Sequence, residues 1–313
     1  MNLLINLLAG LALSILLVKS VDWIIASSSR LARHFKISEY TISFLVIAFA
    51  TSLPELIVGI VSALDKNPAL SYGNVLGSNI ADLTIILAIP IFIGGAINTK
   101  QIVKNKDLFF TVFFGLLPLI LIFDGALSQM DGVILILSYV FYLILVLRRS
   151  STIENILEHF NQTNVLRDSL IFLSSVLILL GSAGLLVKIA ENISYIAKVP
   201  LILVGLIVTA LGTSLPELAF GLKAVKTHHK GEVLGNIVGS VVANSTLVLG
   251  VTSLIYPVKR DINVGLSSAG FLLATLFLFM IFSLTQKTIK KLEATLLLAL
   301  YFVFVLVEKL LAS

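Results

Sequence analysis

One stretch decides the fold: Ala48-Phe49-Ala50-Thr51-Ser52-Leu53-Pro54-Glu55-Leu56, which returns 162 positions later as Ala210-Leu211-Gly212-Thr213-Ser214-Leu215-Pro216-Glu217-Leu218. A second motif, Gly73-Asn74-Val75-Leu76-Gly77-Ser78, returns at the same offset as Gly235-Asn236-Ile237-Val238-Gly239-Ser240. Residues 48–87 and 210–249 align without a gap and share 15 of 40 positions. Two unrelated apolar helices would not share Thr-Ser-Leu-Pro-Glu in register by chance, so the chain contains an internal duplication.

The composition places the chain in a lipid bilayer. Of its 313 residues, 58% are hydrophobic and only 12% are charged, and the mean hydropathy is +1.07. A soluble domain needs far more polar surface than this. The absence of cysteine excludes disulfides and thiolate metal sites. We attribute the net charge of +5 to basic cytoplasmic loops, and we expect no nucleic acid and no obligatory protein partner.

Polar breaks divide the chain into ten apolar stretches, which predicts an all-α membrane protein with ten transmembrane helices. The predicted spans are 3–25, 40–64, 71–94, 108–123, 132–147, 169–190, 200–224, 233–255, 266–284 and 294–311. The predicted organisation is a first five-helix repeat over 1–147, a cytoplasmic linker over 148–168 and a second five-helix repeat over 169–313. The linker is too short to form a soluble regulatory domain.

The distribution of lysine and arginine predicts the orientation in the membrane. One set of alternate loops contains 16 of the 22 basic residues. Basic loops stay in the cytoplasm, so both termini are expected outside. Five spans separate the two copies of the motif, and because five is odd, the second copy crosses the membrane upside down. Inverted repeats with interrupted helices that meet at the midplane are an architecture of secondary transporters.

Three acidic residues, Glu55, Asp82 and Glu217, fall well inside predicted spans. A charge at that depth costs about 3 kcal/mol on insertion scales. No lysine or arginine is deep enough in a span to neutralise them. Either they are protonated core groups, or the missing positive charge arrives as a cation. Three such acids, two of them at repeated positions, favour the cation.

The residues around these acids supply oxygen ligands. At helical spacing Thr51 shares a face with Glu55, and the pairs Ser78/Asp82 and Ser240/Asn244 are i, i+4 neighbours. Pro54 and Pro216 each lack an N–H and should break their helices, which frees backbone carbonyls. Carboxylate, hydroxyl and carbonyl oxygens suit Ca²⁺ or Na⁺ rather than Zn²⁺ or Cu²⁺.

Small and amide side chains accompany the acids in both copies. Gly73, Gly77, Gly235 and Gly239 are spaced for close helix packing. Asn74 and Asn236 either cap broken helix segments or contact ions, and the sequence leaves both roles open.

The paired motifs, each followed by Gly-Asn-x-x-Gly-Ser, resemble the α-repeats of the Ca²⁺/cation antiporter superfamily, and most closely its prokaryotic sodium/calcium exchanger branch. The resemblance covers the whole chain. It implies an alternating-access antiporter with one Ca²⁺ site and neighbouring Na⁺ sites, in which spans one and six slide across the remaining core. Transported Ca²⁺ and Na⁺ are then the bound ions, and no tightly bound cofactor is expected.

Carried over position by position, the resemblance implies roles for the repeated residues. Glu55 and Glu217 would be the central Ca²⁺ ligands, with Thr51 and Thr213. The implied Na⁺ ligands are Ser52, Ser214, Ser78, Ser240, Ala48, Ala210, Asp82 and Asn244. The threonines and alanines would contribute mainly backbone oxygens.

The chain departs from the family pattern at two places. Ala50 stands where a glycine is usual. The branch also has asparagine in the first repeat and aspartate in the second at the positions of Asp82 and Asn244, and here the two are reversed. The site keeps a formal charge of −3, enough for one divalent ion or up to three monovalent ions.

We therefore expect a Ca²⁺/Na⁺ antiporter, and not an enzyme, in a prokaryotic inner membrane. Within transporters the alternative is Ca²⁺/H⁺ or K⁺-coupled exchange. A cation channel is a second class. An intramembrane hydrolase that uses Ser52 or Ser214 is a third, disfavoured because no histidine lies in a predicted span and no lysine lies deep within one.

Overall fold

The computed structural model describes residues 3–34, 52–99, 105–147, 165–226, 230–259, 262–285 and 288–311. These residues are almost entirely helical. The α-helices are α1 (Leu3–His34), α2 (Leu53–Leu64), α3 (Pro68–Ala81), α4 (Leu87–Gly94), α5 (Asn105–Leu121), α6 (Gln129–Leu147), α7 (Val165–Ala197), α8 (Leu201–Val204), α9 (Ala210–Thr213), α10 (Leu215–Lys226), α11 (Lys230–Ala243), α12 (Leu249–Ile255), α13 (Ile262–Thr285) and α14 (Lys291–Leu311).

Three helical stretches continue through a π-helical turn instead of ending. These turns are Asp82–Ile86 between α3 and α4, Gly205–Thr209 between α8 and α9, and Asn244–Val248 between α11 and α12. Asp82 and Asn244 begin two of them, at positions related by the offset of the repeat. Each π turn inserts one extra residue into the helical register, a feature common at functional sites.

Within the described residues, eight helical stretches are long and apolar enough to cross a membrane, and two shorter apolar helices cover Leu53–Leu64 and Leu108–Asp124. The all-helical membrane fold is therefore confirmed. The first part of the second predicted span, 40–51, lies outside the described residues.

Two helices continue beyond their predicted spans. The apolar stretch of α1, Leu3–Ile24, agrees with span one at 3–25 although the helix runs to His34, whereas span six at 169–190 is shorter than the apolar helix α7, Val165–Ala197. The last residues assigned to the 148–168 linker thus belong to α7. Arg30 Nε donates to Asp168 Oδ1 at 2.6 Å, and this ion pair joins the polar end of α1 to the start of α7. These two long helices pack along their length.

Short antiparallel strand pairs join the two halves. β1 (Ile97–Asn98) pairs with β4 (Thr288–Ile289), and β2 (Ala126–Leu127) pairs with β3 (Val258–Lys259). Each pair contains one strand from residues 1–147 and one from 169–313. The largest apolar core also draws on both halves, with Leu83 and Leu87 buried together with Val241 and Leu249. The two halves therefore form one packed body.

The glycines of the first copy bring helix backbones together. A Cβ atom on Gly73 or Gly77 would collide with the carbonyl oxygens of Ile202 or Leu206. The predicted packing role is confirmed for these two residues. For Gly235 and Gly239 it is not, since no atom within the described ranges lies within 4 Å of a Cβ built there. The tight helix contact is thus described for one copy of the repeat; the residues that the offset relates to Ile202 and Leu206, Tyr40 and Phe44, lie outside the described residues.

Candidate cation site

Glu55 and Glu217 occupy equivalent places at the start of broken helices. Glu55 is the third residue of α2 and Glu217 the third residue of α10, and each follows a proline. The serine before each helix leaves helical geometry, with φ −91° and ψ 4° at Ser52 and φ −83° and ψ 6° at Ser214. Helix N-termini stabilise negative charge. Both carboxylates are buried, at 0% and 1% exposure.

A serine from the next helix contacts each glutamate. Ser240 Oγ donates to Glu217 Oε1 at 3.0 Å, and Ser78 Oγ donates to Glu55 Oε1 at 3.5 Å. Both contacts join residues 23 positions apart. The geometry of the site therefore repeats with the sequence.

Ser78 also connects the first half to the second. Its Oγ lies 3.5 Å from the carbonyl oxygen of Ala210 and 3.4 Å from Thr213 Oγ1. Thr213 Oγ1 in turn donates to Asn74 Oδ1 at 3.2 Å. Asn74, whose role the sequence left open, is thus buried beside Thr213. Hydroxyl, amide and carbonyl oxygens from both halves converge around Glu55.

Several buried polar atoms here lack a hydrogen-bond partner within the described residues. They are Oε2 of Glu55 and of Glu217, both carboxylate oxygens of Asp82, both amide atoms of Asn244, Nδ2 of Asn74, and Oγ of Ser52 and of Ser214. A buried polar group without a partner costs about 1–3 kcal/mol, and more when it is charged. Such a concentration around three acids is expected where a cation completes the coordination.

The site is strongly electronegative. Glu55, Asp82 and Glu217 repel one another, and the ion pair found in the described part of the chain, Arg30–Asp168, lies elsewhere. Among the described residues no three acidic or histidine side chains alone are arranged to hold a metal ion. The other oxygens beside the carboxylates belong to hydroxyl, amide and carbonyl groups.

Most of the predicted site residues come together in the fold. Glu55, Asp82, Glu217 and their neighbours Ser52, Ser78, Thr213, Ser214, Ser240 and Asn244 are all buried, as are Ala210 and Pro54. Pro216, which is only partly buried, follows the helix break at Ser214, as predicted. The predicted ligands Ala48 and Thr51 lie outside the described residues.

Sequence reasoning missed two buried polar residues, Asn79 and Ser245. Asn79 Nδ2 donates to Ser245 Oγ at 2.7 Å. Repeat analysis could not find them, because the residues at the equivalent positions, Val241 and Leu83, are apolar. Their one signal is position, since each is adjacent to a predicted site residue, Ser78 or Asn244.

A polytopic helical membrane protein that buries unpaired carboxylates and free oxygens between broken helices has the construction of a cation transporter. The family model for the sodium/calcium exchanger protein matches residues 6–148 and 169–309. The chain belongs to this family, whose members are cation antiporters. The two matched segments correspond to the two halves of the duplication.

Individual relatives agree with this assignment. The chain is 32% identical over 297 residues to the uncharacterized membrane protein MJ0091 of Methanocaldococcus jannaschii, covering 92% of this chain and 93% of that protein. It is 25% identical over 348 residues to the sodium/calcium exchanger MaX1 of Methanosarcina acetivorans, covering 97% and 98%. A solved structure of the sodium-calcium exchanger NCX_Mj, soaked with Na⁺ and Sr²⁺, matches with a TM-score of 0.65 at 29% identity, covering 96% of this chain and 98% of that one.

Proposed function

We propose that this antiporter exchanges Ca²⁺ for Na⁺ by alternating access at a midplane site centred on Glu55 and Glu217. The observation that carries the proposal is the burial of three carboxylates, those of Glu55, Asp82 and Glu217, with four oxygens between them that make no hydrogen bond at normal distance and angle in the described residues, although the Ser214 hydroxyl lies near Asp82. Two of the relatives described above, MaX1 and NCX_Mj, are sodium/calcium exchangers. Both ions are hard cations that prefer oxygen ligands.

The proposed architecture is ten transmembrane helices in two inverted repeats. Eight long and two short apolar helical stretches supply ten segments within the described residues. Support for the repeat comes from features that recur at the offset of 162: helix breaks at Ser52 and Ser214, π turns that begin at Asp82 and Asn244, and the two serine–glutamate contacts. An odd number of intervening spans inverts the second copy.

The proposed Ca²⁺ ligands are Glu55 and Glu217, assisted by Thr51 and Thr213. Ca²⁺ takes about six to eight oxygens, so two carboxylates need several neutral partners. The proposed Na⁺ ligands are Ser52, Ser214, Ser78, Ser240, Ala48, Ala210, Asp82 and Asn244. In support, Ser78 Oγ and the Ala210 carbonyl oxygen lie 3.5 Å apart, close enough to share one small cation.

The proposed movement is a displacement of α1 and α7 across the remaining helices. Their mutual packing and the Arg30–Asp168 ion pair make these two helices one unit. Coupled exchange requires that α1 and α7 move only when bound cations balance the charge of −3 in the site; movement of the empty site would let ions leak. A bound ion can impose this condition only if its affinity for the site differs between the two conformations.

The proposed location is a prokaryotic inner membrane, with both termini outside and the 148–168 linker in the cytoplasm. The 16 basic residues of alternate loops support this orientation. A relative that is 29% identical over 259 residues is named the inner membrane protein YrbG of Escherichia coli.

The test is flux through purified protein in liposomes. An outward Na⁺ gradient should drive ⁴⁵Ca²⁺ uptake, and collapse of that gradient should stop it. Uptake that ignores Na⁺ would refute the assignment of the counter-ion. Saturable flux with coupled counterflow is expected of a carrier, whereas unsaturated flux without counterflow would identify a channel.

One observation favours a second candidate, Ca²⁺/H⁺ or K⁺-coupled exchange. Asp82 places a carboxylate with two unpartnered oxygens where the branch usually has an asparagine, and Asn244 is neutral where the branch has an acid. A carboxylate can carry a proton that an amide cannot. Uptake of Ca²⁺ driven by a pH or K⁺ gradient in the absence of Na⁺ would select this candidate.

A further inference from the structure

Asn79 and Ser245 form a buried polar bridge between the two halves of the site. Both side chains are fully buried, and Asn79 Nδ2 donates to Ser245 Oγ at 2.7 Å. Asn79 directly follows Ser78 on α3, and Ser245 directly follows Asn244 in the Asn244–Val248 π turn. The bond therefore ties the segment that carries Asp82 to the segment that carries Asn244.

The other end of the Asn79 amide is free. Asn79 Oδ1 is buried and has no hydrogen-bond partner among the described residues. Because the amide nitrogen is held by Ser245, the carbonyl oxygen must point away from that hydroxyl. Asn79 is three residues before Asp82, so both project from the same side of the helix. The Asp82 carboxylate resembles the Asn79 oxygen in one respect, since both of its oxygens are buried without a hydrogen-bond partner among the described residues.

This bridge has no counterpart in the other half. The repeat offset relates Asn79 to Val241 and Ser245 to Leu83, both buried and apolar. The two serine–glutamate contacts, by contrast, recur in both halves, with Ser78 on Glu55 and Ser240 on Glu217. The amide is therefore not needed to pack the repeat. It occurs together with the other asymmetry of the site, the charged Asp82 opposite the neutral Asn244.

We propose that Asn79 is a further ligand of the counter-cation, which it contacts through Oδ1 together with the Asp82 carboxylate, and that Ser245 is a positioning residue that holds the Asn79 amide in this orientation. The inference rests on the proposed cation site. It assigns the part of the site formed by Asn79 and Asp82 to the monovalent ion. One carboxylate and one neutral carbonyl oxygen suit a single positive charge better than a double one.

The test measures ion binding and transport separately. Purified protein in detergent is titrated with Na⁺ alone and with Ca²⁺ alone, and thermal stabilisation gives a half-saturating concentration for each ion. The variant Asn79→Val introduces the residue that the other repeat has at this position. It should raise the half-saturating Na⁺ concentration about tenfold, as expected for the loss of one ligand, and leave that for Ca²⁺ within about twofold.

Ser245→Ala should shift Na⁺ binding in the same direction, and the double variant should be no worse than Asn79→Val, because Ser245 acts through Asn79. The matched control is Thr246→Val. Thr246 is the neighbouring hydroxyl in the same π turn, and it donates to its own helix, at the Val242 carbonyl oxygen at 2.6 Å. The control should leave the binding of both ions unchanged.

Folded Asn79→Val with wild-type Na⁺ binding would overturn the inference, as would equal loss of Na⁺ and Ca²⁺ binding. If Asn79→Val does not fold, the half-saturating Na⁺ concentrations of Ser245→Ala and Thr246→Val are compared instead. Equal values for these two variants would overturn the inference. Wild-type flux is measured in parallel. Absence of Na⁺-driven Ca²⁺ uptake by the wild type would refute the proposed function. A higher half-saturating Na⁺ concentration in the Asn79 and Ser245 variants alone would support the present inference.

Discussion

Ser240 Oγ donates a hydrogen bond of 3.0 Å to Glu217 Oε1, while Oε2 of the same carboxylate is buried and has no partner among the described residues. One oxygen is thus fixed by the protein and the other is left for a ligand. The first half repeats the arrangement with Ser78 and Glu55 at 3.5 Å. A serine that orients one oxygen while the second stays free holds the carboxylate in place for a ligand. Ser268 and Glu308 show the same arrangement singly, so what distinguishes the site is that two such carboxylates are grouped with Asp82.

The first prediction concerns these two charges. Glu55→Gln and Glu217→Gln should each lower Ca²⁺ exchange by about 100-fold or more, since removal of one partner from a buried charge pair costs about 3 kcal/mol. Glutamine keeps the size of the side chain, so the proteins should fold. The measurement is ⁴⁵Ca²⁺ uptake into liposomes, with the elution profile in detergent as the test of folding.

The matched control for both variants is Glu308→Gln. Glu308 is a fully buried glutamate in α14, where it accepts a hydrogen bond from Ser268 at 2.8 Å, and it is not part of the candidate site. This variant should retain exchange. Near-normal Ca²⁺ uptake by Glu55→Gln or Glu217→Gln would show that the site has been placed wrongly.

The second prediction separates the number of charges from their position. Asp82→Asn lowers the formal charge of the site from −3 to −2 and should weaken the dependence on Na⁺ more than Ca²⁺ binding. The double variant Asp82→Asn/Asn244→Asp restores −3 in the order usual for the branch. It should recover Na⁺-driven uptake to within about threefold of the wild type if total charge controls coupling. Paired Na⁺ and Ca²⁺ titrations of both variants measure this, and equal loss of both ions in Asp82→Asn would contradict it.

The candidate site could be predicted from sequence because its acidic residues stand within otherwise apolar spans. An acid inside an apolar span is conspicuous, and Glu55 and Glu217 are also duplicated. The helix interruptions at Ser52 and Ser214 could be predicted because a proline, which cannot donate a backbone hydrogen bond, lies two residues after each serine. These signals are local, so no knowledge of the fold was needed.

Features that depend on tertiary contacts could not be predicted in this way. The helix α1 continues past its apolar stretch, Leu3–Ile24, and there Arg30 pairs with Asp168, 138 residues away in the sequence. The Asn79–Ser245 bond joins residues 166 positions apart that the repeat does not match.

Two further features could not be predicted from hydropathy. The π turns change the helical register by one residue, and this change does not alter the hydropathy of the segment. The glycine pairs look equivalent in sequence, yet only Gly73 and Gly77 contact another backbone within the described ranges.

The third prediction uses that glycine asymmetry. Gly73→Ala and Gly77→Ala should each destabilise the protein by about 1–3 kcal/mol, because the added methyl group meets a backbone carbonyl that cannot move aside. Their counterparts in the second copy are the control. Gly235→Ala and Gly239→Ala meet no neighbouring atom of the described residues and, as alanine favours a helix, should be neutral or slightly stabilising. Thermal unfolding in detergent measures all four, and equal melting temperatures would contradict the asymmetry.

The fourth prediction concerns the ion pair between α1 and α7. The side chains of Arg30 and Asp168 are 22% and 6% exposed. Asp168→Asn should lower stability by about 1–2 kcal/mol, less than for a fully buried pair because Arg30 keeps access to solvent. The charge-swapped double variant Arg30→Asp/Asp168→Arg should recover part of the loss. Thermal unfolding at low and high salt is the measurement, and the absence of any recovery would indicate that the pair contributes through packing alone.

The last prediction concerns two lysines with left-handed backbones. Lys66 has φ 60° and Lys198 has φ 54°; Lys198 directly follows the last residue of α7, and Lys66 lies one residue beyond the end of α2, after Asp65. The next N–H closes the turn in both cases, from Asn67 to the Ser62 carbonyl at 2.8 Å and from Val199 to the Ser194 carbonyl at 3.1 Å. This is the position at which glycine is favoured, because a Cβ in the left-handed region costs about 1–2 kcal/mol.

Lys66→Gly and Lys198→Gly should therefore each stabilise the protein by about 0.5–1 kcal/mol, the relief of strain exceeding the greater freedom of glycine in the unfolded chain. The same substitution at Lys188, an exposed position inside α7, should destabilise by about 1 kcal/mol, since glycine weakens a helix interior. Thermal unfolding of the three variants compares one chemical change at positions that differ in backbone conformation. If Lys66→Gly and Lys198→Gly lowered the melting temperature as Lys188→Gly does, then contacts of the lysine side chains, and not the sign of φ, would govern these two turns.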